Sequence, residues 1–353
     1  MSGATIDQLD EVGADSAGAT PTSRGLGRSI WRYAAIRAWH GFMRHRGLDS
    51  AAALTFFSAL ALFPAALVVV SSFALLDDRE AAITNILTVA NEFVTDETIE
   101  TMRDPLESLL SIGSPVLALI VGLLFTLWSV SSYATAFGRA ANTVYEVQEG
   151  RPIWKFRGLM MLVTLLLMVG YALIIVILLG TPSAVRAIGD AAGFGEPWLT
   201  IWNVGKWPVL AILAFVIIGV LYYATPNVRH SRLRWVSWGA AFAIVAWGLA
   251  TLAFAIYVMT VGTYDRIYGW IGGGLAILVW LYITNLVLVI GAEVDGELVR
   301  VRQLTAGIAA EEIIQLPARD TTRTLMLARQ LAQDVAAGRA IREESDARPE
   351  RLL

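Results

Sequence analysis

The stretch that decides the fold is LWSVSSYATAFGRAANTVYEVQEGRPIWKFR, residues 127–157. It begins inside an apolar segment and ends in a loop dense with charge. At helical spacing Thr135, Arg139, Asn142 and Glu146 fall near one face, because residues three, four and seven apart stack along a helix. A polar stripe descending from a hydrophobic helix is costly in lipid, so it is expected to face protein or water.

The rest of the chain makes a membrane the natural setting. Of 353 residues 56% are hydrophobic and only 16% charged, with a mean hydropathy of +0.60. Average globular chains carry roughly 25% charged residues, and a soluble domain this poor in charge could not cover its surface. There is no cysteine, which excludes disulfides, thiol chemistry and cysteine-ligated metal. The sequence predicts six charge-free runs, each long enough to cross about 30 Å of hydrocarbon: 50–76, 108–138, 158–185, 207–228, 235–264 and 267–292. The expected fold is an all-α polytopic membrane protein with six transmembrane helices.

Charge in the connections orients it. The segments 77–107, 186–206 and 265–266 hold only Arg79, Arg103, Arg186, Lys206 and Arg266 of the 27 basic residues. All the others lie on the opposite side, which the positive-inside bias makes cytoplasmic, with both termini inside. The expected organisation is a disordered tail over 1–23, a basic interfacial helix over 24–49, the membrane domain over 50–302 and a cytoplasmic tail over 303–353. In the basic helix Trp31, Ala35, Ala38 and Phe42 share a face. The segment reads as a helix lying along the membrane surface or as a solvated helix that only contributes topology charge. The acidic connection 77–107 carries Ile83, Ile86, Leu87, Ala90, Phe93 and Val94 at helical spacing. It and the Trp198 and Trp202 connection can cap helix ends or line an entrance. In the tail Asp320, Thr321 and Thr322 form a cap for a helix running to about Glu344, after Pro317 breaks a short one. Its Leu327, Leu331 and Val335 offer an apolar stripe.

Within the spans Pro64 should kink the first, since proline removes a backbone donor. Gly269 and Gly273, four apart, favour close helix packing. Asn285, Glu293 and Glu297 lie near one face of the last span, and Glu293 is expected at the depth of Arg139 and paired with it.

Several segments, taken in order, resemble the YihY/BrkB family of bacterial inner-membrane proteins, historically mislabelled ribonuclease BN. They are Ala51 to Phe57 with Leu62-Phe63-Pro64; Trp128-Ser129, then Ala141 to Tyr145 with Arg151; Leu221 to Asn227; Gly239-Ala240 with Trp247 and Tyr257; and Tyr268-Gly269, Trp280-Leu281-Tyr282 and Gly291-Ala292-Glu293. The resemblance implies a six-helix protein of the inner (plasma) membrane, with some relatives linked to lipid or lipopolysaccharide transport and to serum resistance. It supplies no agreed catalytic or binding residues.

Enzyme chemistry finds little purchase. A metal-dependent nuclease needs several histidines and carboxylates converging on metal ions. The chain has three histidines, of which His40 and His45 are turned apart by a helix and His230 sits in a basic loop. No cofactor or metal site is expected, and no nucleic-acid partner. Two readings stay open. One is a protein that handles or translocates an anionic lipid or amphiphile, with Arg139, Asn142, Glu146, Arg151, Arg157, Arg232, Arg234 and Glu293 as candidate substrate-binding residues and membrane lipids as partners. The other is a structural or interaction protein of the envelope, whose polar stripe only staples helices together.

Overall fold

The structure is a computed structural model that describes residues 27–76, 83–84, 87, 103–104, 108, 114–179, 197–229, 238–261 and 270–346. Its helices are α1 (Arg28–Arg44), α2 (Gly47–Leu76), α3 (Pro115–Val144), α4 (Ile153–Leu179), α5 (Pro197–Ala224), α6 (Trp238–Val261), α7 (Trp270–Thr305) and α8 (Thr322–Asp346). Six of them, α2 to α7, are long and apolar enough to cross a membrane. The described residues contain no β-strand beyond one isolated antiparallel bridge, Val228 with Ala318.

The apolar runs are legible in these helices, but their ends are not. Helix α3 continues past Arg139 to Val144, and α7 continues past Glu293 and Arg300 to Thr305. With 36 residues, α7 is about 54 Å long, far more than a hydrocarbon core requires. Its charged third remains helical because its charges turn inward onto partners, as described below. Helix α5 starts ten residues before the expected span, at Pro197, where proline pre-sets the first helical turn. Trp198 and Trp202 thus belong to a helix and not to the connection before it. Pro64 lies within an unbroken α2.

Helix α2 packs along α3, α6 along α7, and α7 also meets α1 and α2. The buried core gathers at the end of the bundle that carries the charged extensions. It comprises Phe137 and Val144 of α3, Phe156 and Met160 of α4, Leu221 and Tyr222 of α5, Ala240 and Ala243 of α6, and Leu288 and Val299 of α7. Phe137 and Tyr222 stack there, with ring centroids 5.6 Å apart. Towards the other end the same helices present large apolar side chains outward, including Phe125, Val176, Ile212 and Leu249.

The close helix approach falls elsewhere than the sequence suggests. Gly269 lies outside the described residues, and a Cβ on Gly273 would meet none of the described residues within 4 Å. The tight crossing is between α6 and α7, where a Cβ on Gly239 would lie 2.5 Å from the Gly291 carbonyl. The Gly239 and Gly291 backbones thus provide the contact expected at Gly269 and Gly273.

The basic helix α1 also differs from expectation. Its buried side chains are Ala34, Ala38 and Phe42, whereas Trp31 and Ala35 are exposed. Ile30 and Ala34 pack on Leu298 and Val301, with Val294 beside them. Arg37 meets Glu297 and His45 meets Glu293. As α1 runs forward its partners on α7 run backward, so the two helices lie antiparallel and α1 braces the charged extension of α7.

In the tail, α7 ends at a left-handed Gly307 (φ 80°). There Ile308 N–H donates to the Gln303 carbonyl, closing the helix end. Residues 306–321 are non-helical, so no short helix precedes Pro317. The predicted cap before α8 is present, Thr322 N–H donating to Asp320 Oδ1 at 2.9 Å. Leu327, Leu331 and Val335 are exposed.

Candidate functional site at the charged end of the bundle

Two polar clusters occupy this end. The first joins α1, α7 and the turn after α3. Arg300, 1% exposed, donates through Nε to Glu297 at 3.0 Å, through Nη2 to Glu146 at 2.9 Å and through Nη1 to the Ala310 carbonyl at 2.6 Å. Glu297 also meets Arg37 at 3.3 Å, and Glu146 meets Arg44 at 3.6 Å and accepts from Ile314 N–H at 2.9 Å. Beside them Glu293, 1% exposed, takes a 2.9 Å hydrogen bond with His45 Nδ1. Gly41 makes room for that carboxylate, since a Cβ there would lie 2.7 Å from Oε2.

The second cluster clasps the α3–α4 connection, the end of α5 and the tail. Asn142 donates to Glu149 at 2.8 Å and accepts from Asn227 N–H at 2.7 Å. Arg151 grips Glu149 with Nε and Nη2, reaches the Thr225 carbonyl and lies 4.8 Å over the Phe156 ring. Asn227 donates to the Gln148 and Asp320 carbonyls. Arg319 donates to the carbonyls of Val228 and Tyr223. It thereby satisfies acceptors that the end of α5 leaves open. Gly150 lets the strands of this clasp touch, as a Cβ on it would lie 2.0 Å from the Asp320 carbonyl oxygen.

Electrostatics follow from these contacts. Burial alone would raise the Glu149 carboxyl, but the hydrogen bonds and charge of Arg151 and the Asn142 amide outweigh it and hold it below the ordinary carboxylate range. The hydrogen bonds of Asp320 with Thr322, and then with Lys155, lower it to about 2. Burial, and then the neighbouring Arg151 charge, pull the Arg319 guanidinium below its usual value.

The candidate residues therefore divide. Asn142, Glu146, Arg151 and Glu293 are buried or half-buried and engaged internally, in two clusters. Glu146 does not continue the helical stripe: α3 ends at Val144, and Glu146 has the left-handed φ of 57°, which turns its carboxylate to Arg300. Arg139 does not pair with Glu293, whose partner is His45. Arg139 is exposed, as is Arg157, and neither has a carboxylate partner among the described residues. Arg232 and Arg234 lie outside the described residues. The sequence reading missed His45, Arg37, Arg300, Glu149, Asn227 and Arg319. Arg300 alone carried a signal, as a charge at helical spacing from Glu293 and Glu297. Among the described residues no three His, Cys, Asp or Glu side chains converge as metal ligands would.

Comparison with protein families matches residues 38–312 to the one described as Virulence factor BrkB. The chain belongs to the BrkB family. Of its relatives, the putative ribonuclease-like protein YfkH of Bacillus subtilis (strain 168) is 29% identical over 269 residues, covering 74% of this chain and 93% of that protein. A UPF0761 membrane protein of Alkalilimnicola ehrlichii is 29% identical over 257 residues, 71% of this chain and 55% of the relative. Another, of Xanthomonas campestris pv. campestris (strain B100), is 27% identical over 275 residues, 74% and 59% respectively. The chain thus spans little more than half of these two relatives. No solved structure matches it. Both polar clusters involve BrkB-matched residues, while Arg319, Asp320 and α8 of this BrkB-family chain lie beyond the match.

Proposed function

We propose that this multi-pass membrane protein handles an anionic lipid or amphiphile at the cytoplasmic face of the inner membrane. One observation carries the reading: the buried charges at this end satisfy one another, while Arg139 and Arg157 stand exposed without carboxylate partners among the described residues. Two residues before Arg157, Lys155 reaches Asp320 with its ammonium 5.4 Å from the Trp154 ring centre, and Trp154 is 71% exposed. Exposed cations and amphipathic rings are what an anionic headgroup layer attracts, at about 1 kcal/mol per Lys or Arg near the surface. The free face of α1, with Arg32, Ile36, Trp39 and Met43 exposed, is a second headgroup surface in this reading. Acyl chains would rest against the outward apolar faces of the spans.

A scaffold without transport is favoured by a different observation, that Asn142, Glu146, Arg151 and Glu293 are all spent on internal contacts. One assay separates the two. Proteoliposomes carrying a fluorescent anionic lipid are treated with an impermeant quencher. Translocation makes the inner-leaflet fraction quenchable, and Arg139→Glu with Arg157→Glu should slow it several-fold. No translocation above empty liposomes, across several anionic lipids and an imposed gradient, would leave the scaffold.

A further inference from the structure

We propose that His45 and Glu293 form a proton-binding site, and that its proton holds α1 against α7. The argument begins with the charges around it. On α7, Glu297 is met by Arg37 and Arg300. From the turn after α3, Glu146 is met by Arg300 and Arg44. Arg44 has a side chain 57% exposed, so solvent and salt screen much of its charge. The remaining buried charges, Arg37 and Arg300 against Glu146 and Glu297, cancel. Asp295 of α7 is bonded to the Tyr145 hydroxyl, and Arg139 of α3 and Asp49 of α2 are exposed.

Glu293 is left with His45. It meets no arginine or lysine among the described residues, and it is almost fully removed from solvent. One proton on the pair, whether on the imidazole or on the carboxylate, makes the pair neutral as a whole. The proton can pass between them along the 2.9 Å hydrogen bond. Loss of that proton to solvent leaves a buried carboxylate facing an uncharged ring. Such a group is costly to keep buried, and undocking α1 is the direct route to its hydration. The latch therefore closes when the pair gains a proton and loosens when it loses one.

The absence of cysteine in the chain supplies the test. In full-length protein in nanodiscs, Ala38→Cys reports on the buried face of α1 and Ala35→Cys on its exposed face. The ratio of their maleimide labelling rates cancels the pH dependence of the thiol. The ratio should be low at acid pH and rise with pH as the pair gives up its proton. One-proton linkage allows up to about tenfold per pH unit. In Glu293→Gln, which needs no proton, the ratio should stay low and flat. In His45→Gln only the carboxylate can hold the proton, so the rise should be displaced from its position in the parent protein. A flat ratio in the parent protein overturns the proposal, as does an unchanged rise in either variant. If His45→Gln fails to fold, Glu293→Gln makes the same discrimination.

Discussion

Nδ1 of His45 lies 2.9 Å from Oε1 of Glu293, and this contact ties the end of α1 to α7 just where its apolar run gives way to charge. Residues in contact couple by about 0.5–3 kcal/mol in double-mutant cycles, and remote ones by less than about 0.5. A cycle of His45→Ala and Glu293→Ala, read by thermal unfolding in detergent, should fall in the first range. A cycle of Arg139→Ala and Glu293→Ala should fall in the second. Strong coupling to Arg139 would restore the pairing expected from helical depth alone.

Arg300 is the next test, because its guanidinium is the shared member of the first cluster. Removing one member of a buried ion pair costs about 3–5 kcal/mol, since the partner is left unpaired. Arg300→Ala should cost that much and release both Glu146 and Glu297. Replacing Arg300, Glu146 and Glu297 together by apolar residues of similar volume should cost less than the single change. A triple variant worse than Arg300→Ala would show that the cluster contributes more than the avoidance of unpaired charge.

The glycines give a contrast between positions. At Gly150 a Cβ would collide with the backbone of Asp320 and Thr321, which cannot swing aside as a side chain can. Gly150→Ala should destabilise by at least the 1–3 kcal/mol typical of overpacking. At Gly273 no described residue stands within 4 Å, so Gly273→Ala should be neutral or slightly stabilising, as alanine is the better helix former by about 1 kcal/mol. Melting curves of the two variants decide this. A destabilised Gly273→Ala would point to a neighbour outside the described residues.

What could be read in the sequence followed from the energy of transfer into lipid. The six spans were legible because a run such as 158–179 has no aqueous alternative. The cap at Asp320 was legible because capping is local. The pairing of buried charges was not, for a specific reason. Arg139 and Glu293 were matched by depth, but depth does not fix rotation about the helix axis. Arg139 turns outward, and the partner of Glu293 comes from a helix that sequence periodicity places on the membrane surface. Glu146 was assigned to a helical stripe because nothing in 139–146 marks the helix end at Val144. The contacts of Asn142 with Asn227, and of Asn227 with Asp320, join residues 85 and 93 positions apart, which spacing rules do not reach.

The clasp around Asp320 and Glu149 should loosen in acid. Both carboxyls are held below their ordinary values, Asp320 at about 2 by Thr322 and Lys155 and Glu149 by Arg151 and Asn142 against its burial. A group with a lowered folded-state pKa stabilises fully above its unfolded value, about 4, and that contribution is lost as pH falls through the folded value. The window for Asp320 therefore runs from about pH 4 down to about 2, with Lys155 and the Thr322 amide losing a charged partner as it is crossed. Pepsin works in this range and can report it locally. Cleavage beside the half-buried Leu316, relative to cleavage beside the exposed Leu331, should be low near pH 4 and rise towards pH 2. Asp320→Asn keeps a cap for Thr322 but cannot titrate, so its ratio should begin higher and rise less. A ratio independent of pH in the parent protein would mean that the contacts of Asn227, Arg319 and Gly150 hold the clasp without either carboxylate.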